Sequence, residues 1–291
     1  MNDTTSPPQT LWHYTNADGL FGIVKSSRLR FGEARFLNDR TERTYGPALI
    51  DQILEEERLA DDSDGAVSSV GGVLYVSRLP DRLHLCSFSE NEESIGLWQR
   101  YGGDGNGYCI GFDPRRLDDA LDHVGVTRTR MIYNEADQRA FLRQQVRNAV
   151  AEYREAKAKG GGSGPSTIEA IMIVGHIDWV AFALKNPFFH DEEEWRYFLT
   201  LDNEEDPELD SGDDPDNYIR EDFDVRAPYI KPFVLLPAQQ HGTRAKLPIT
   251  SVICGPRLNF ELAEPSVNRF LRSHGYADVR VGQSRLAQIW R

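Results

Sequence analysis

Strand-like segments outnumber helix-like ones along this chain and do not alternate with them, and that order constrains the fold more than any other feature. Short apolar or alternating runs predict strands at 11–15 (LWHYT), 28–34 (RLRFGEA), 70–79 (VGGVLYVSRL) and 83–90 (LHLCSFSE). Further strands are predicted at 107–113 (GYCIGFD), 127–135 (TRTRMIYNE), 194–201, 249–256 and 277–284, with two more in 223–237 broken at proline. GYCIGFD and TRTRMIYNE read as a pair. Helices are predicted at 17–27, with Leu20, Ile23 and Val24 on one face and Asn16 or Asp18 as cap, and at 46–60, 94–102, 136–160, 167–184 and 265–275. A doubly wound sheet needs strict alternation, so the fold class is α+β.

Residues 1–10 (MNDTTSPPQT) are polar and proline-bearing, without the basic start and apolar run of a signal peptide, and are expected to form a loose tail. Residues 11–291 are expected to form a single domain. The most apolar segment, 170–185, is interrupted by His176 and Asp178 and is too short to span a bilayer. These features predict a cytoplasmic protein with no membrane partner. The net charge is −13, and nine of the acids fall in 202–217 with no basic residue, leaving −4 for the remainder. That stretch is expected to be a solvated acidic loop, and the balance is not that of a non-specific nucleic-acid binder. Cys86, Cys109 and Cys254 show neither a CxxC pair nor metal-ligand spacing, and read as reduced core thiols.

Several stretches carry groups suited to chemistry. His13, Tyr14 and Thr15 share the first strand; FLNDRTE (36–42) offers Asn38, Asp39 and Glu42 at a helix start, where a turn with a cap is the plain alternative. Ser87 and Ser89 flank Phe88, which puts both hydroxyls on one strand face. The glycines at 102, 103, 105 and 107 match neither GxGxxG nor GxxxxGK[ST], so a hairpin turn is expected and a phosphate cradle is not. DEEEWRYF (191–198) is the strongest signal. Glu192 and Glu194 lie two apart at a strand start and are expected on the same side, with Arg196 continuing that face and Lys185 preceding it. Such carboxylates repel unless a cation, a hydroxyl-rich ligand or a basic side chain holds them; an ion-pair ladder and a functional site remain equal readings.

Taken in order, HYT, LNDRTE, SFSE…W…YG, GYCIGFD, MIYNE, EEEWR, ICGP and VRVGQS resemble an uncharacterised bacterial family, the domain of unknown function numbered 2971, from about Leu11 to Ser284. More distantly, the series His13, Ser87-Phe88-Ser89, Glu192-x-Glu194 resembles ADP-ribosyltransferase-like folds. That resemblance implies mixed, mostly antiparallel strands in a central split sheet flanked by helices, and NAD as substrate. It implies His13 and Thr15 on the adenosine-side ribose, Ser87 and Ser89 on the nicotinamide side, and Tyr101 or Trp98 stacked on the nicotinamide ring. Glu194 would bind the 2′-hydroxyl of the nicotinamide ribose, and Glu192 would orient or deprotonate the acceptor, an unidentified protein or nucleic acid. Tyr14, Asn38, Lys185 and Arg196 complete the expected binding set, in an enzyme of toxin or phage-defence type. No metal is indicated by this reading. A metal-dependent nuclease using Asp39, Glu42, Glu192 and Glu194 is the alternative enzyme, and a ligand sensor or interaction module the non-enzymatic one.

Overall fold

A computed structural model describes residues 7–36, 42–77, 82–162, 164–201, 208–209, 219–226, 228–240 and 242–290. The acidic stretch 202–217 lies outside these residues except for 208–209, as does most of the tail. The chain forms two compact units: residues 1–36, 82–130 and 191–291, and residues 37–81 with 131–190.

The first unit is built on a large open sheet. Its strands are β1 (Leu11–Thr15), β2 (Arg28–Glu33), β3 (Leu83–Ser89), β4 (Tyr108–Phe112), β5 (Thr127–Arg130), β6 (Glu194–Thr200), β7 (Glu208–Leu209), β8 (Ile219–Arg226) and β9 (Tyr229–Pro237), with the short pair β10 (Gln239–Gln240) and β11 (Thr243–Arg244) outside it and β12 (Ile249–Cys254) and β13 (Arg280–Gln283) at one end. The order is β13-β12-β4-β1-β3-β2-β9-β8-β7, and β6 lies along the other edge of β3 with β5 beyond it. All these pairings are antiparallel except β12 with β13. The expected α+β class with a mostly antiparallel sheet is therefore correct. GYCIGFD and TRTRMIYNE are not partners, however: β4 runs between β1 and β12, while β5 pairs with β6.

Alternation along the central strands sorts side chains to two faces. Leu11, Phe88, Ile110, Phe112, Trp195 and Tyr197 form one core with α1 (Ala17–Ser26), α5 (Pro114–Leu121) and α8 (Phe260–Ser273), through Leu20, Val24, Leu117, Leu121 and Leu271. Each such side chain contributes about 1.5–3 kcal/mol by leaving water. Asn16 caps α1, accepting from the Gly19 N–H at 2.9 Å, and Asp113 caps α5 through the N–H groups of Arg115 and Arg116. The opposite face carries Trp12, Tyr14, Cys109 and Ile253, packed under Leu97 and Trp98 of α4 (Ile95–Arg100).

The second unit is helical: α2 (Glu42–Ala60), α3 (Ala66–Ser77), α6 (Glu135–Lys159) and α7 (Thr167–Ala181). Residues 78–79 of the strand expected at 70–79 lie outside the described residues, and 70–77 are instead part of α3. Its valines suggested a strand, but Ala66, Val67, Val70 and Leu74 recur at helical spacing and bury together against the other helices. Asp62 and Asp64 accept from the first N–H groups, at Val67 (2.9 Å) and Ala66 (3.2 Å), and start the helix. Arg139, Arg143 and Arg147, one turn apart on α6, pair with Glu56 and Glu57 of α2. Lys185 belongs to this unit, buried with its ammonium 5.3 Å from the Phe189 ring centre, and its carbonyl accepts from Gln138 at 2.7 Å.

Candidate functional site

β1 and β3 share a single paired position, Trp12 with Ser89. Beyond it β3 takes β2 as neighbour on the same edge, at Leu85 and His84, so the sheet parts between β1 and β3. His13 sits at this parting. Its Nδ1 lies 2.9 Å from the Ser87 carbonyl, which requires the Nδ1–H tautomer, and its ring is 5.5 Å from Phe88. Burial lowers the His13 pKa below 6.5, and the Ser87 bond only partly offsets this, so the ring is neutral at pH 7. His13 thus lies on the Phe88 face, and Trp12 and Tyr14 lie on the serine face.

On the other edge of β3, β6 pairs over its full length and sets Ser89 opposite Glu194 and Ser87 opposite Arg196. Glu194 and Arg196 share a face as expected. Both are buried and form a bidentate pair, Nε to Oε1 at 2.8 Å and an Nη to Oε2 at 3.0 Å. Glu192 departs from expectation. It ends a 3₁₀ turn (Pro187–Glu192) rather than starting the strand, and Glu193 between the carboxylates adopts a left-handed φ of 43°. That turn breaks the alternation. The Glu192 carbonyl accepts from the Ser89 hydroxyl at 2.7 Å, and its buried carboxylate stands 3.3 Å from Arg100 and 3.5 Å from the Tyr101 hydroxyl. Arg100 also reaches Asp191 at 3.2 Å. Neither Arg100 nor Asp191 belonged to the expected set, although both directly adjoin members of it.

Tyr14 donates to the Asn91 carbonyl at 2.8 Å and accepts from the Ser94 N–H at 3.1 Å, so its hydroxyl fixes the loop into α4. The same loop is tied to the C-terminal segment, where Glu93 accepts from the Ser284 hydroxyl at 2.6 Å and the Arg285 N–H at 2.7 Å. Trp98 is wholly buried against Tyr14, with ring centroids 5.0 Å apart, so of the two rings expected to stack on nicotinamide only Tyr101, 37% exposed, reaches solvent. Ser87 is exposed, while Ser89 is buried. Thr15 is partly buried at the end of β1, opposite Tyr108. Asn38 and Asp39 lie outside the described residues, as does the side chain of Glu42. Among the described residues, no three His, Cys, Asp or Glu side chains are grouped to hold a metal ion.

The glycine turn joins α4 to β4, so it is not the hairpin expected. Its N–H groups at Gly102, Gly105, Asn106 and Gly107 bond to carbonyls of Leu97, Gly102 and Gly103, which agrees with the rejection of a phosphate cradle. Its carbonyls at Gly105 and Gly107 accept, at 2.9 Å each, from the N–H groups of Arg257 and Gly255. All three cysteines are buried and unpaired, and burial pushes the Cys86 and Cys254 thiols up to about 12. Cys86 Sγ is 4.0 Å from His13 Nδ1 but stays protonated, so it is no nucleophile.

Residues 97–197 match the family described as protein of unknown function DUF2971. The match takes in Trp98, Tyr101, Glu192, Glu194 and Arg196 but neither His13 nor the Ser87–Ser89 pair, a shorter span than the expected Leu11–Ser284. No curated protein and no solved structure matches the chain. The matched residues run from within α4 to the middle of β6.

A pH dependence follows from two desolvated histidines of this unit. His84, wholly buried and 3.4 Å from Glu221, has its pKa lowered by burial, as His13 does. Their folded-state pKa values lie below the unfolded 6.5, so the unfolded chain takes up protons first as pH falls. Their contribution to stability is complete above pH 6.5 and is lost below it. Urea unfolding at pH 7.5 and 5.5 should show lower stability at 5.5, with a smaller difference in His13→Asn. A wild-type protein equally stable at both pH values would refute this.

Proposed function

We propose that the sheet unit is an NAD-cleaving catalytic unit of the ADP-ribosyltransferase type, which moves ADP-ribose to a protein or nucleic-acid acceptor, or to water, in a toxin or phage-defence setting. The observation that carries this reading is the pair of buried carboxylates, Glu192 and Glu194, held on either side of the left-handed Glu193 and against Ser89 of β3. Left-handed backbone at a non-glycine residue costs about 1–3 kcal/mol and clusters at functional sites. The parting of β1 from β3, bridged by His13, supports this reading, since the resemblance implies a split sheet.

In this mechanism the Glu194 carboxylate, its charge fixed by Arg196, accepts the 2′-hydroxyl of the nicotinamide ribose. It stabilises the positive charge that develops at C1′ as the C1′–nitrogen bond breaks and nicotinamide leaves with the bonding pair. The acceptor's nucleophile forms the new bond to C1′, and its proton passes to Glu192. Tyr101 stacks on the nicotinamide ring, while His13, on the sheet face opposite Ser89 and Glu194, fixes the parting of the strands through the Ser87 carbonyl and does not touch this NAD.

The test is NAD consumption by wild type, Glu194→Gln and Glu192→Gln, each checked for folding by circular dichroism. Glu194→Gln should lower turnover by about 10²–10³-fold. Equal turnover by the three folded proteins would sink the assignment. One observation favours a non-catalytic ligand-sensing module instead: both Glu194 oxygens engage Arg196, the arrangement of a purely structural pair. Under that reading wild type binds a ligand without consuming it.

A further inference from the structure

Away from the carboxylates, the C-terminal end of α1 meets the C-terminal end of α8 at a surface of rings and cations. Phe21, 51% exposed, stacks on Phe270 with ring planes 12° apart and centroids at 5.4 Å, and His274 follows 4.7 Å from Phe270. Lys25 holds its ammonium 5.1 Å from the Phe21 ring centre. Arg244 donates to the Ser26 carbonyl at 2.8 Å and Lys246 to the Gly275 carbonyl at 2.7 Å, with Lys246 also 5.6 Å from the Tyr276 ring centre. Among the described residues neither Lys25 nor Lys246 forms an ion pair with a carboxylate. Asp18, one turn before Phe21, is the acidic residue of the first turn of α1.

The charge balance of the whole chain, −13, is not that of a non-specific nucleic-acid binder, but locally Lys25 lies at the exposed Phe21 ring and Arg244 and Lys246 are bonded to the nearby Ser26 and Gly275 carbonyls. We propose that this surface binds single-stranded nucleic acid, one base stacking on Phe21 and the adjoining phosphates contacting Lys25, Arg244 and Lys246. Cations alone would suit an acidic peptide equally. The ring decides for nucleic acid, because every base presents a π-face to an aromatic side chain while a carboxylate presents none. The proposal stands apart from the NAD reading: it requires no catalysis and uses none of the residues assigned there. Where both hold, it supplies the acceptor class.

The experiment is fluorescence anisotropy with a labelled twelve-nucleotide poly(dT) and, in parallel, a labelled polyglutamate peptide, at 50 and 200 mM salt. Wild type should bind the oligonucleotide in the micromolar range, and three phosphate contacts should give a log–log salt slope of about −2. Phe21→Leu, which keeps an apolar side chain but removes the stacking face, should weaken binding about tenfold. Lys25→Glu, which keeps the ring, should weaken it about as much and flatten the salt slope. Affinity unchanged in both variants would overturn the proposal, as would no oligonucleotide binding by wild type at 50 mM salt. Polyglutamate binding that matches the oligonucleotide and is indifferent to Phe21→Leu would also overturn it, in favour of an acidic protein partner. Thermal midpoints of both variants, expected within a few degrees of wild type, separate lost binding from lost folding.

Discussion

Replacing Arg196 by methionine lowers the unfolding free energy by about 3–5 kcal/mol, because it removes the bidentate partner of a buried carboxylate, Glu194. Both side chains are nearly excluded from solvent, and the guanidinium meets the carboxylate in two parallel bonds at 2.8 and 3.0 Å. A pair at the surface would contribute about 1 kcal/mol or less. Here most of the loss is the cost of a buried charge deprived of its bidentate cation rather than the net worth of the pair. The double substitution Glu194→Leu with Arg196→Met should therefore recover much of the loss, since it buries apolar groups in place of both charges. Urea unfolding followed by tryptophan fluorescence checks both. A single variant within 1 kcal/mol of wild type would show that water reaches Glu194. The result also bears on function, because a carboxylate fixed by a neighbour this firmly costs little reorganisation when charge develops beside it.

Gly107→Ala is the second large effect, a destabilisation of about 3 kcal/mol. A Cβ there would stand 2.3 Å from the Thr15 carbonyl oxygen and 2.7 Å from that of Gly102. Both obstacles are backbone, so no side-chain rotation relieves them. Gly255 is confined in the same way, with a Cβ 2.4 Å from the Gly105 carbonyl oxygen. The two glycines let the α4–β4 turn and the segment after β12 approach within hydrogen-bonding distance, and Gly255 donates to Gly107 at 2.9 Å. Gly32→Ala in β2 is the control: nothing lies within 4 Å of its Cβ position, and the change should stay within about 0.5 kcal/mol of wild type. Equal unfolding midpoints for the two variants would refute the close-approach account. Loss of stability in Gly107→Ala alone would fix the role of these glycines as packing rather than ligand binding.

Most single elements were legible because their signals are local. LWHYT, LHLCSFSE and EWRYFLTL are short apolar and aromatic runs of strand length, Asn16 stands where a cap is needed, and α6 carries an amphipathic stripe from Gln138 to Val150. The site was legible in part for the same reason, since Glu194 and Arg196 are two apart within one strand and must share a face. Glu192 was misplaced because strand alternation was extended one residue too far. The left-handed turn at Glu193 has no mark in the run DEEEW, where any of three glutamates suits either conformation. The α3 segment was misread because its valines and glycines fit a strand locally, and only burial of its helical stripe among three other helices overrides that preference.

The sequence by itself determined the α+β class, the buried character of the three cysteines and the shared face of Glu194 and Arg196 at the start of β6, all consequences of local periodicity and composition. Only the tertiary structure decided that β1 and β3 part at His13, that β4 lies between β1 and β12, and that Trp98 is buried while Tyr101 is offered to solvent. Those facts depend on contacts between residues distant along the chain. A strand's own residues specify which side chains share a face, but its neighbour is chosen by register and packing over the whole sheet.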